Sequence, residues 1–193
     1  GWNETEFRAF GLPLGERVSR FEEAFTIIRT LLRDGAIDFD GRFYQARDCE
    51  LLPRPARPGG PPLLVGSKGE RMLRITLPYV DAWNVWFMDT ENRAEGVAPL
   101  RGLVDRIAAE VGRDPAAVER TVAVYVQLPG GQGRTQGRYA PDPVTPLRGD
   151  TTAMADELRR YAAEGIGHVQ LVVDPITEAS IAALAPVLDE LGR

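Results

Sequence analysis

A chain of 193 residues is long enough for one domain with a sizeable core and too short for two comfortable ones. With 44% hydrophobic residues, 26% charged residues and a net charge of -5, it has an ordinary globular balance and no basic excess for gripping nucleic acid. A single cysteine, Cys49, excludes an internal disulfide framework, and no apolar run approaches the ~20 residues of a membrane span. The expectation is a soluble, cytoplasmic protein with no nucleic-acid or membrane partner. The only histidine, His168, is remote from Cys49 in sequence, so the cysteine reads as a buried or half-buried structural thiol.

From Glu16 to Arg33, Val18, Phe21, Phe25, Ile28, Leu31 and Leu32 recur at helical spacing, and Gly35 ends the helix. Asp40-Gly41, between Ile37-Asp38-Phe39 and Arg42-Phe43-Tyr44, predicts a β-hairpin with a two-residue turn. The Pro- and Gly-rich stretch 53–62 reads as a stiff exposed connector, with Arg54 and Arg57 solvated.

After the connector, strands and helices alternate. Leu63-Leu64-Val65 has the continuous apolar character of a parallel strand covered on both faces. A helix from Glu70 to Leu77 stops at Pro78, and 81–87 forms the next strand. A helix bearing Leu100, Leu103, Val104, Ile107 and Val111 closes at Gly112, and Asp114-Pro115 caps a short helical turn. Val122 to Leu128 is a strand, 129–150 a long loop, and Thr152 to Ala163 a helix. A strand from His168 to Val173 and a last helix carrying Ile181, Leu184, Val187, Leu188 and Leu191 complete the chain. Successive β-then-α units imply a parallel sheet with right-handed crossovers. No dinucleotide fingerprint marks an open doubly wound sheet, and four units make half of a (β/α)8 barrel of about 250 residues. The start at Gly1-Trp2-Asn3-Glu4 fits that half: the expectation is one barrel domain over 1–193 that lacks its N-terminal half.

The segment most suggestive of chemistry is Val65-Gly66-Ser67-Lys68-Gly69-Glu70, a strand running through a two-glycine loop into a helix. Glycines let successive N–H groups converge, a helix start adds partial positive charge, and Ser67 and Lys68 add a hydroxyl and an ammonium. That combination fits a phosphate cradle, and it equally fits an ordinary tight βα turn.

Several further segments bear on that choice. Gly1-Trp2-Asn3-Glu4-Thr5-Glu6-Phe7-Arg8-Ala9-Phe10-Gly11, the helix from Arg17 to Leu32, Phe39-Asp40-Gly41-Arg42-Phe43-Tyr44, Pro61 to Arg71, Val80-Asp81-Ala82-Trp83-Asn84, Gly112-Arg113-Asp114-Pro115 and 165–171 follow one another in a familiar order. In that order the chain resembles the luciferase-like family of flavin- and deazaflavin-dependent oxidoreductases, which are eight-stranded barrels. The resemblance implies an incomplete (β/α)8 TIM barrel containing parallel strands 5–8, their helices and an inserted β-hairpin. It also implies that 66–69 is the family's Gly-Gly-x-Gly phosphate loop, with Ser67 in place of the second glycine. A positive φ at that position would cost serine roughly 1 kcal/mol or more.

Gly-Glu-Arg-x-Leu-Arg followed by Asp-Ala-Trp-Asn is most similar to members using coenzyme F420, with FMN as the alternative. The implied chemistry is hydride transfer between F420 and a small organic substrate, or oxygen activation by an FMN monooxygenase. A third reading is a non-catalytic fragment that keeps only the phosphate loop. The cofactor-binding candidates are Gly66, Ser67, Lys68 and Gly69, with Trp2, which fits a ring contact or plain packing, and Asn84, which fits a cofactor contact or a satisfied strand end. Glu6 fits a general acid and, more commonly at a helix start, a cap. Arg134 and Arg138 fit an anionic tail or solvated loop charges. His168 begins a strand, on the stability side of a barrel. No general base stands out, no metal is implied, and a homodimer follows if half-barrel surfaces pair.

Overall fold

Asn3 opens the first helix, α1 (Glu4–Ala9), with Oδ1 accepting from the backbone N–H groups of Thr5 and Glu6. The computed structural model describes residues 1, 3–134 and 144–192, in two compact units, Gly1–Pro62 and Leu63–Arg193. In the first unit, α2 (Arg17–Asp34) realises the predicted amphipathic helix, with Phe21 and Phe25 stacked at 5.6 Å. Gly35 ends it at φ 78°, a left-handed conformation that glycine adopts without penalty. The Arg54 guanidinium fills the space a side chain at Gly35 would need and donates to the Asp34 carbonyl at 2.7 Å. Its other arm pairs with Glu50 at 2.6 Å. Arg54 is therefore a helix-end clamp, where a solvated side chain was expected.

The hairpin forms from β1 (Ala36–Asp40) and β2 (Gln45–Glu50), with Asp40 opposite Gln45. Its connection is the four residues 41–44, which corrects the two-residue turn expected at Asp40-Gly41. The reason is tertiary. Glu23 of α2 accepts from the backbone N–H groups of Arg42, Phe43 and Tyr44 at 2.9, 2.9 and 3.0 Å, drawing them out of the ladder. Cys49, half-buried on β2, is a free thiol opposite Ile37.

The second unit is a parallel sheet of β3 (Leu64–Val65), β4 (Ala82–Val85), β5 (Glu119–Gln127) and β6 (His168–Asp174), in that order. Helices α3 (Glu70–Thr76), α4 (Val97–Glu110) and α5 (Thr151–Ala163) connect them. This is the expected α/β barrel-type arrangement of consecutive parallel strands. β5, paired on both sides, buries Val122, Val124 and Val126 completely. β3 departs from expectation: it pairs only with β4 among the described residues, and Leu64 is exposed.

The last helix is two, α6 (Glu178–Ala183) and α7 (Ala185–Leu191), because Pro186 cannot supply the N–H that would continue the ladder. Between α3 and α4, Arg74 and Arg106 each bridge Glu70 and Glu110 at 2.7–2.9 Å. Among the described residues, no helix is long and apolar enough to cross a membrane.

Candidate functional site

Parallel pairing brings the C-terminal ends of β3, β4, β5 and β6 to one edge of the sheet. The segments leaving that edge are 66–69, 86–89, 128–134 and the residues after Asp174. Barrel enzymes place their sites on this edge, because loops there can vary while the strands hold position.

The 66–69 loop leaves β3 and enters α3 directly. None of its residues has positive φ, so the strain expected for Ser67 in a glycine position is absent. Gly69 caps α3 at φ -78° and ψ 125°, and its N–H lies 3.4 Å from the Ser67 hydroxyl. The chain itself does not require either glycine. A Cβ at Gly69 would meet nothing within 4 Å, and one at Gly66 only the Asn84 carbonyl at 3.7 Å. Small residues beside exposed backbone keep room for an external group. α3 spans only 7 residues, so the groups the loop could offer an anion are the Ser67 hydroxyl and the Lys68 ammonium rather than a helix dipole.

Two contacts position the loop. The buried indole of Trp83 donates from Nε1 to the Ser67 carbonyl at 2.7 Å, and Lys68 pairs with Asp89 beyond β4. Glu70, the next residue in the chain, is turned to Arg74 and Arg106, whose hydrogen bonds hold its carboxyl below the usual range. Its charge is thereby offset beside the loop.

Asn84 lies on β4 within this region, half-buried, with Oδ1 at 2.7 Å from the Thr121 hydroxyl of β5. Trp2 and Arg138 lie outside the described residues. Glu6 accepts from Asn3 Nδ2 at 3.0 Å, the arrangement of a helix cap. His168 stands exposed at the start of β6, away from the site edge. Arg134 does reach the site edge: its guanidinium lies 5.4 Å from the Trp86 ring centroid and 6.0 Å from that of Phe87.

A polar cluster at the ends of β5 and β6 has no counterpart in the sequence reading. Asp174 Oδ2 accepts from Gln127 Nε2 at 2.7 Å, Gly133 N–H at 2.9 Å and the Tyr125 hydroxyl at 3.2 Å. Arg148 donates to Gln127 Oε1. The Gln127 amide, outweighing burial and joined by Gly133, holds the Asp174 carboxyl below its ordinary range. Burial, with Asp174 beside it, pushes the Tyr125 phenol up. Beyond the end of β4, Asn92 takes over as pairing partner of β5: Oδ1 accepts from Tyr125 N at 2.8 Å, and Nδ2 donates to the Tyr125 and Thr145 carbonyls at 2.9 Å. The one sequence signal was an acid ending an apolar strand, Val172-Val173-Asp174, and it becomes informative only once Gln127 stands opposite it.

Comparisons with known proteins agree with this fold. The pyrimidine monooxygenase RutA of Allorhizobium ampelinum is 29% identical over 122 residues, covering 61% of this chain and 33% of RutA. The matched segment spans about a third of the length of that curated relative. The coenzyme F420 dependent tetrahydromethanopterin reductase from Methanopyrus kandleri superposes with a TM-score of 0.72 at 13% identity, over 98% of this chain and 72% of its own. Riboflavin lyase RcaE, solved with modified FMN and riboflavin, gives 0.71 at 14% identity, over 98% and 61%. These two likenesses speak to the fold alone. The sequence profile of the luciferase-like monooxygenases matches residues 1–140, and the chain belongs to that family.

Proposed function

We propose that this chain is part of an oxidoreductase in which the 66–69 loop holds the phosphate end of coenzyme F420, and that the whole enzyme passes hydride between the deazaflavin ring and a small organic substrate in the cytoplasm. The observation that carries the reading is the open loop at the end of β3. Its glycines serve no need of the chain's own backbone, and its hydroxyl and ammonium suit an anion. The resemblance of Gly69-Glu70-Arg71-x-Leu73-Arg74 and Asp81-Ala82-Trp83-Asn84 to members using F420 supports the choice of cofactor.

When bound, the cofactor supplies the redox chemistry, and the protein supplies position and electrostatics. Ser67 and Lys68 would hold the phosphate, with Trp83 fixing the loop from beneath and Asp89 steering the Lys68 ammonium. Asn84 stands on the neighbouring strand as a further contact. A second reading, an FMN-dependent monooxygenase, draws on the sequence match to a pyrimidine monooxygenase and on the fold likeness to a lyase solved with modified FMN.

Titration of the full chain with F420 and with FMN separates the two. The proposal expects F420 to bind and FMN to fail, and Lys68→Ala to weaken the binding about tenfold. The reverse preference selects the monooxygenase reading, and failure with both cofactors removes the loop's assignment. Binding without turnover by the isolated 193 residues would fit the non-catalytic fragment.

A further inference from the structure

We infer that Asp174 is a positioning residue: its carboxylate holds the segment after β5 against the strand ends, so that the Arg134 guanidinium lies across Trp86 and forms a cationic wall of the ligand site. The ligand part rests on the proposed function; the positioning part does not.

The geometry connects the ends of β5 and β6 and the segment beyond β5 through one carboxylate. Asp174 closes β6, and its Oδ2 receives Gln127 from the end of β5 and the N–H of Gly133 from the segment beyond. Leu128 N–H donates to the Asp174 carbonyl at 2.9 Å, so both the backbone and the side chain of Asp174 grip this segment. The fit is close. A Cβ at Gly131 would lie 2.6 Å from Gln127 Cγ and 2.7 Å from the Asp174 carbonyl, a separation that only glycine permits.

Arg134 follows Gly133 directly, and its guanidinium meets the ring of Trp86, just beyond β4. Phe87 lies behind it and packs on Tyr125 at 5.4 Å, while Tyr125 returns to Asp174 through its hydroxyl. The circuit Asp174–Gly133–Arg134–Trp86–Phe87–Tyr125 thus closes on itself. Arg148, on Gln127, adds a second guanidinium to the cluster. Loss of the Asp174 carboxylate opens the circuit at the bond that precedes Arg134.

The test needs no ligand for its first part. Full-length Asp174→Ala, Arg134→Gln and the double variant are compared in their Trp86 emission, obtained by subtracting the Trp86→Phe spectrum, and in amide exchange at Gly133. Both single variants are expected to shift the emission alike and the double variant no further, since they break one circuit. Exchange at Gly133 should accelerate about tenfold in Asp174→Ala. Asp174→Asn, which keeps an oxygen acceptor, should recover most of the native emission, and it carries the comparison if Asp174→Ala does not fold. A general loss of stability would lower the thermal midpoint and leave the native-state emission unmoved. Wild-type emission in Asp174→Ala, or additive shifts in the double variant, would overturn the positioning role.

The second part measures F420 and FMN affinity. Arg134→Gln and Asp174→Ala should weaken the bound cofactor by similar factors of about three to ten. Unchanged affinity with altered emission would overturn the wall. Failure of the unaltered chain to bind either cofactor would count against the 66–69 loop as phosphate site, whereas the emission comparison still decides Asp174.

Discussion

Trp83 on β4 donates its indole N–H to the Ser67 carbonyl at 2.7 Å, so a fully buried ring on one strand holds the loop that leaves its neighbour. A buried Trp seeks a partner for its one donor, and here that partner is the backbone of the candidate cradle. Trp83→Phe keeps an aromatic core residue and removes the donor. Stability measured by urea unfolding should fall by about 1–3 kcal/mol, combining the lost hydrogen bond with the smaller ring. Cofactor affinity at a temperature where the variant is fully folded should also fall. Unchanged affinity in the folded variant would show that the loop keeps its shape without Trp83.

Gly69 permits the opposite separation. Its backbone lies in a region open to any residue, and a Cβ there meets no other atom within 4 Å. Gly69→Val should therefore lower stability by no more than about 1 kcal/mol, the cost of a poorer N-cap residue. Cofactor affinity should nevertheless drop at least about tenfold, because the new methyl groups would occupy the room beside the exposed backbone. Isothermal titration paired with thermal unfolding reads both quantities on one preparation. Retained affinity would return the loop to the role of a plain βα connection.

The parts of the fold that were legible in the sequence are those governed by local periodicity. Helix α2 and its Gly35 terminus, the Asp114 cap and the order of β3 to β6 all follow from spacing and punctuation within a few residues. What escaped depended on partners remote in sequence. Asp40-Gly41 carries the signature of a two-residue turn, yet Glu23 captures three N–H groups and widens it to four. Arg54 looked like a solvated loop charge until the end of α2 came within its reach. Within the site, the 66–69 loop was visible as a glycine pattern. Asp174 and Gln127 were not, because the register of two parallel strands separated by a helix leaves no trace in either strand alone.

Glu23 makes the hairpin loop sensitive to acid. Burial alone would raise its pKa, but the three backbone hydrogen bonds, with Arg42 nearby, outweigh that and hold the carboxyl below its ordinary value. A carboxyl with a folded pKa below the unfolded one, about 4.3 for glutamate, stabilises fully above that value and loses the contribution as pH falls through the folded pKa. Acidification through that folded pKa, below the ordinary glutamate value, should therefore release the amides of Arg42, Phe43 and Tyr44 to exchange. In Glu23→Gln the same amides should exchange faster at neutral pH and respond little to acid. Exchange monitored residue by residue from pH 6 downward makes the comparison, and identical acid profiles in the two proteins would refute it.

Arg120 tests the division of labour between the two edges of the sheet. It sits near the start of β5, opposite the edge that holds Asp174, and its side chain is only 7% exposed. The guanidinium donates to Asp105 at 2.5 Å, to the Pro115 carbonyl at 3.2 Å and to the Val118 carbonyl. These bonds anchor α4 and the turn before β5 to the strand. Arg120→Ala leaves the two carbonyls without their charged donor, and the expected loss of stability is about 2–4 kcal/mol. The loops that leave the other edge are untouched, so cofactor affinity per folded molecule should stay within a factor of about two. Denaturant unfolding with titration of the folded fraction separates the two effects. A large fall in affinity would mean that the strand register set by Arg120 reaches the ligand edge, and that the two edges do not act independently.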